Sequence, residues 1–287
     1  MKFALSWNTA YYGTGADQMS AIAQHAEGLG FEAIYVPEHI ALSARPEPAQ
    51  LALPADTEVV DPLGALAYLA ATTERILLGT GVLLLPYHHP VTLAKQLATI
   101  DLLSKGRLRL VTIGLGTVPA EAAAFGVDYA ARGRVADDAM DALRLLWAGD
   151  RDGVSHDGEF YSFDSLTSFP KPYQADGVPL HVGGSSRAAA RRAGARGSGW
   201  FPGGRLSLPQ RAELWQLVQD TAAAAGRSLD GFDHTRWGTI DMTTDDVAAR
   251  AEQGVTRLVV APTGSTVDEQ RAELSAFAQR HRLVASS

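Results

Sequence analysis

For most of its length the chain alternates between short apolar runs and longer segments that carry an apolar stripe on one side. Phe3 to Asn8 reads as a first strand, with Tyr11 to Gly15 as a loop. Asp17 to Gly30 reads as an amphipathic helix: Met19, Ile22, Ala23, Ala26 and Leu29 form its stripe, Gly30 ends it, and His25 falls on the solvent side. Phe31 to Val36 gives a second strand running into Pro37-Glu38-His39, and a long irregular loop with Pro46, Pro48 and Pro54 follows. Asp61 and Pro62 then open a helix as N-cap and first residue. Ile76 to Leu85 is apolar without alternation, the pattern of a parallel strand covered on both faces. Pro90 starts a helix to Ser104, Leu108 to Ile113 is a fourth strand closing on Gly114-Leu115-Gly116-Thr117, and Arg134 to Trp147 is a helix. The rhythm stops between Gly149 and Gly177, a stretch rich in Gly, Asp, Ser and aromatics. It resumes with a strand at Val178, a helix at Arg187, a strand over Gly197–Pro202 and a helix over Leu208–Ala225. A strand near His234–Met242, a helix over Thr244–Gln253, a strand over Arg257–Pro262 and a helix over Val267–Arg280 complete the series.

Eight strands alternating with eight helices are the tally of a (β/α)8 TIM barrel, and the length suits one with an insertion before the fifth strand. The expected organisation is one domain over residues 1–287, with the insertion at about 149–177 partly covering the barrel mouth. A doubly wound open sheet is the rival, but it would stop at fewer strands. Its dinucleotide-binding form lacks support, because no Gly-x-Gly-x-x-Gly follows the first strand.

Composition narrows the classes. Of 287 residues 46% are hydrophobic and mean hydropathy is −0.04, which describes a globular chain with ample core material. The net charge of −7 argues against nucleic acid as a partner, and no apolar run is long enough to span a membrane. There are no cysteines, so disulfides, thiolate catalysis and Cys-based metal sites are excluded. Met1 leads straight into a strand-like run without the layout of a signal peptide, so a cytoplasmic location is expected. The histidines show no HExxH or similar spacing, so no metal is expected, and no Gly-x-Ser-x-Gly supports a serine nucleophile.

Barrel enzymes carry their chemistry on the loops after the strands, so each strand end can contribute to one mouth. The ends offer Ser6, Trp7 and Asn8; Glu38 and His39; Gly79 to Leu83 with Tyr87-His88-His89; Gly114 to Thr117; and Trp200, Phe201 and Gly203-Gly204-Arg205. The most suggestive is Gly183-Gly184-Ser185-Ser186, lying between the fifth strand and its helix. Glycines there allow close approach of a ligand, a serine can cap the helix, and a helix start offers free N–H groups to a phosphate. A tight Ser-capped turn without a ligand accounts for the same residues. The mixture is aromatic and Gly-rich with few carboxylates, suiting a flat apolar ligand with a phosphate better than a sugar that needs paired acids. The lysines Lys2, Lys95, Lys105 and Lys171 fall at starts, helices and loops, which disfavours a barrel lyase.

Leu29-Gly30-Phe31 through Pro37-Glu38-His39, Gly79-Thr80-Gly81-Val82 and Tyr87-His88-His89-Pro90 resemble the bacterial luciferase-like superfamily. Lys95-Gln96-Leu97 to Asp101, Ser104 to Leu108, Phe125-Gly126-Val127, Arg132-Gly133-Arg134, Gly158 to Tyr161, Pro170-Lys171-Pro172 and His181 to Ser185 extend the likeness in order up to Trp200. The last third resembles it mainly in architecture.

This resemblance implies a (β/α)8 barrel that binds a flavin or deazaflavin at the strand C-terminal ends, and it points most to the branch using coenzyme F-420. It implies a cis peptide at Gly81-Val82 backing the central ring, a phosphate held by Gly183, Gly184, Ser185 and Ser186, and further cofactor contact at Gly114 and Gly116. Glu38 and His39 would lie beside the ring as the catalytic pair. His39 can move a proton near neutral pH, or can simply hydrogen-bond the ring. Trp7, Tyr87 and Trp200 are candidates for an aromatic substrate wall or for core. His88 and His89 read as loop packing, and Arg187 as a group reaching the phosphate while Arg191, Arg192 and Arg196 face solvent. Sugar-phosphate dehydrogenases of that branch carry Glu where this chain has Thr117, so their particular chemistry is not implied. The implied reaction is hydride transfer between F-420 and a small organic substrate. An FMN-dependent monooxygenase and a flavin-binding protein without turnover are the alternatives, and a homodimer is expected.

Overall fold

The computed structural model describes residues 1–7, 13–42, 44, 54, 56–204 and 206–285. Asn8, Tyr11, Pro46, Pro48 and Arg205 lie outside the described residues. Eight parallel strands close into a barrel. They are β1 (Lys2–Ser6), β2 (Ala33–Val36), β3 (Leu77–Leu84), β4 (Leu108–Gly114), β7 (Leu180–Gly183), β8 (Gly199–Phe201), β9 (Asp233–Trp237) and β10 (Arg257–Val260), and β10 pairs back to β1. The sequence rhythm therefore reports the topology, with most strand ends shifted by a residue or two; the strand expected near His234–Met242 ends five residues early, at Trp237. The helices are α1 (Ala16–Leu29), α2 (Pro62–Thr72), α3 (Pro90–Leu103), α4 (Pro119–Ala124), α5 (Arg132–Ala148), α6 (Arg187–Arg196), α7 (Leu208–Ala224), α8 (Thr244–Glu252) and α9 (Val267–His281). Only the short α4 has no counterpart in the hydrophobic pattern. Among the described residues no helix is long and apolar enough to cross a membrane.

Local chemistry places the ends. Gly30 adopts φ 91° and returns its N–H to the last carbonyls of α1. Asp61 caps α2 by accepting from the Gly64 N–H, with Pro62 in the first turn. Strand alternation then sorts side chains into two cores. Ala4, Ala33, Tyr35, Leu110, Phe201 and Val259 fill the barrel interior, while a larger apolar layer lies between strands and helices. Lower in the barrel Arg257 bonds Glu32 at 2.8 Å and Asp233 at 2.9 Å. A cavity of about 700 Å3 lined by Lys2, Arg109, His181 and Arg257 opens at that N-terminal end. The chemistry of barrels sits at the opposite face, and the interior core divides the two.

Residues 149–177 hold an antiparallel hairpin, β5 (Val154–Asp157) and β6 (Ser162–Leu166). It lies along α5: Asp138 accepts from the Phe160 and Tyr161 N–H groups at 2.6 and 2.9 Å and pairs with His156 at 2.6 Å. At the rim Tyr161 meets His89 edge-on. The hairpin is held against the outer helix layer by the Asp138 carboxylate of α5. Three surface expectations also change. His25 is partly buried and bonds the Arg271 carbonyl and Ser275 hydroxyl of α9. Arg192 is buried against Asp137, and Arg196 pairs with Asp141. Packing α6 on α5 turns those arginines inward to acids the sequence keeps far away.

Candidate active site

The C-terminal ends of β2, β3, β4 and β7 form one continuous arc. At its centre the Gly81-Val82 peptide is cis, and the β3–β4 register shifts there. Val82 lodges between two glycines. A Cβ on Gly183 would lie 2.8 Å from Val82 Cγ1 and 2.9 Å from the Ile113 carbonyl, and one on Gly114 would collide with the other Val82 methyl. Gly81 rests over Tyr35, where a Cβ would sit 3.4 Å from that of the tyrosine. Past its first residue, β3 is partly exposed only at Gly81 and Val82. A flat, apolar wall on the mouth is the result.

Beside this wall lies the strand-to-helix turn. Gly184 is exposed with φ 106°, a conformation that favours glycine. Ser186 caps α6 by accepting from the Ala189 N–H at 3.1 Å, and the Ser185 hydroxyl donates to the Gly203 carbonyl, tying the turn to the loop after β8. The Gly184 N–H already donates to the Phe201 carbonyl, and Gly183 is buried in its strand. Among the described residues the backbone N–H groups of Ser185, Ser186, Arg187 and Ala188 are without a partner, one step further along than the four-residue cradle read from the sequence. Arg187 is turned away to an exposed pair with Glu213.

A group of titratable side chains sits on the other side of the wall. Glu38 is buried, accepts the Leu84 N–H and stands 2.9 Å from His88 Nε2. Both its oxygens are thereby engaged in holding the end of β3, and His88 is its partner rather than loose loop packing. His39 Nδ1 faces Glu121 Oε2 at 3.6 Å, beyond hydrogen-bonding distance, and neither atom has a hydrogen-bond partner among the described residues. Glu121 comes from α4, is 3% exposed, and its other oxygen accepts the Ile40 and Ala41 N–H groups at 2.9 and 3.2 Å. Burial would raise its pKa, but His39 and those two N–H groups outweigh it and hold the carboxyl below the usual range. Glu121 was not found from the sequence, because a six-residue helix shows no period and nothing local links it to His39.

The aromatic candidates divide. Trp7 is fully buried in the layer between strands and helices. Trp200 points outward, stacked on Trp215 and His234, and donates to the Gly184 carbonyl; it is no wall of the mouth. Strand alternation puts Phe201 at the inward place instead, touching Tyr35 and Trp237. Tyr87 stacks on Phe125 at 5.1 Å with its hydroxyl against Gly116, whose φ of 75° and missing Cβ make room for it. Burial, then Glu121 and Tyr129, push the Tyr87 pKa up to about 12, so it stays a neutral phenol.

A family model described as luciferase-like monooxygenase matches residues 2–285. An uncharacterized protein of Mycobacterium tuberculosis is 32% identical over 272 residues, covering 91% of this chain and 93% of that one. The F420-dependent glucose-6-phosphate dehydrogenase of Microbacterium testaceum is 28% identical over 225 residues, covering 76% of this chain and 62% of its own. The crystal structure of a monooxygenase from Streptomyces bottropensis has a TM-score of 0.77 at 22% identity and covers 98% of each chain, a likeness of fold.

Proposed function

Because the chain belongs to the luciferase-like monooxygenase family, we propose that it is an oxidoreductase that binds coenzyme F-420 and passes a hydride between the deazaflavin ring and a small organic substrate. Relatives include both F420-dependent and flavin-dependent enzymes. The observation that carries the reading is the Val82 wall, seated by Gly114 and Gly183 directly beside the Ser-capped turn at Gly184–Ser186. A flat ring fits the wall, and an anionic tail fits the amides of Ser185 and Ser186.

When bound, the deazaflavin supplies a two-electron hydride donor or acceptor. This chain's residues do the rest. Glu38 fixes the end of β3 and with it the wall. His39 turns Nδ1 toward Glu121, leaving Nε2 to give or take the proton that accompanies the hydride. The ionised Glu121 faces Nδ1 and orients the ring.

Fluorescence titration of the purified protein with F-420 and with FMN tests the proposal. Saturable quenching by F-420, with FMN much weaker, is expected; preference for FMN would move the reading to a flavin-dependent monooxygenase. Gly184→Val forces a β-branched residue into the positive-φ turn and is expected to weaken binding roughly tenfold or more, about 1.4 kcal/mol. Unchanged affinity would remove the turn from the site.

A further inference from the structure

Three arginines of the described chain are nearly fully buried. Arg192 is paired with Asp137, and Arg257 with Glu32 and Asp233. Arg236, 6% exposed on the outward side of β9, has no carboxylate partner among the described residues. Its charged neighbours are Arg211 and Arg250, both of its own sign. Burial, then these two cations, push its pKa down to about 10. An unpaired buried guanidinium is costly, and two further cations beside it add to that cost. Water would hydrate the group but would leave the repulsion.

Arg236 and Arg211 line a cavity of about 660 Å3 beside α7 and the end of α8, in the size range of small-molecule sites. Its other half is apolar, with Leu208 and Trp215. Trp215 stacks on His234 at 4.5 Å, and burial holds His234 neutral with a pKa of about 4. Arg211 Nε and Gln253 Oε1 are buried without hydrogen-bond partners among the described residues. Glu252 is the acidic residue in the lining; it is exposed and makes no ion pair with the arginines among the described residues. The cavity lies in the outer helix layer, on the far side of the barrel wall from the inward-facing Phe201. We propose that it binds a small organic anion, with a carboxylate on Arg236 and Arg211 and an apolar body against Trp215 and Leu208.

Isothermal titration of the full-length protein with naphthoate, with neutral naphthylmethanol and with inorganic phosphate tests this. Naphthoate is expected to bind, and each of the other two to bind about tenfold more weakly or less well still. Arg236→Met should lower naphthoate affinity by at least about tenfold. Should Arg236→Met not fold, Arg211→Gln at the half-buried rim carries the test, with a loss of roughly fivefold expected. Equal affinity in wild type and the folded arginine variant, equal binding of the neutral or the inorganic probe, or no binding of naphthoate would overturn the proposal.

Discussion

Glu121 holds the loop after β2 with one oxygen, through the Ile40 and Ala41 N–H groups, and faces His39 with the other. A neutral isostere would keep the shape, lose the charge and turn one acceptor into a donor. Glu121→Gln is therefore expected to lower kcat by about tenfold with little change in cofactor affinity, since general acid–base contributions are of that order or larger. A fall in affinity with kcat preserved would make Glu121 a loop anchor alone. His39 was legible in the sequence as a titratable group at a strand end. Its partner was not, because the two are linked by a contact across 82 positions of chain. Glycines show the same division: Gly114, Gly116 and Gly183 were recognisable as special, and the structure adds that their missing Cβ atoms make room for Val82 and Tyr87.

At the scale of elements, helices and barrel strands were readable because each buries an apolar face with its own period. The β5–β6 hairpin was not, since its residues are exposed or half-exposed and it is tied to α5 through Asp138, far away in the sequence. Asp138 is held below the usual carboxyl range: burial opposes this, but the Phe160 N–H, His156 and the Tyr161 N–H prevail. Asp138→Ala leaves two backbone donors without their acceptor, at a cost of about 1–3 kcal/mol each where they stay dry. The expected result is faster hydrogen exchange across residues 154–166 with barrel amides still protected. Equal slowing or speeding of both regions would show that the hairpin and barrel unfold together.

For the whole molecule, the outward-facing His234 and the inward-facing His181 are stored neutral. Burial lowers both from 6.5 to about 4. Between those values the unfolded chain binds more protons than the folded one, so stability falls as pH drops from about 6.5 through about 4, by roughly 3 kcal/mol for each residue. Thermal unfolding across that range should show the loss, and His234→Phe, which keeps the stack on Trp215, should remove about half of it. An unchanged slope in that variant would exclude His234 as a source.

The order of elements, the closed parallel topology and the ring of strand ends follow from the sequence alone, because hydrophobic period and turn chemistry act over a few residues and repeat. The cis peptide and the Gly-Gly-Ser-Ser turn were likewise reachable through their likeness to a known pattern. Which side chains meet was decided only by closure of the barrel. His39 with Glu121, Glu38 with His88, Trp200 turned outward and Arg236 without an acid among the described residues all depend on packing between distant segments, where a one-residue step along a strand reverses the direction of a side chain.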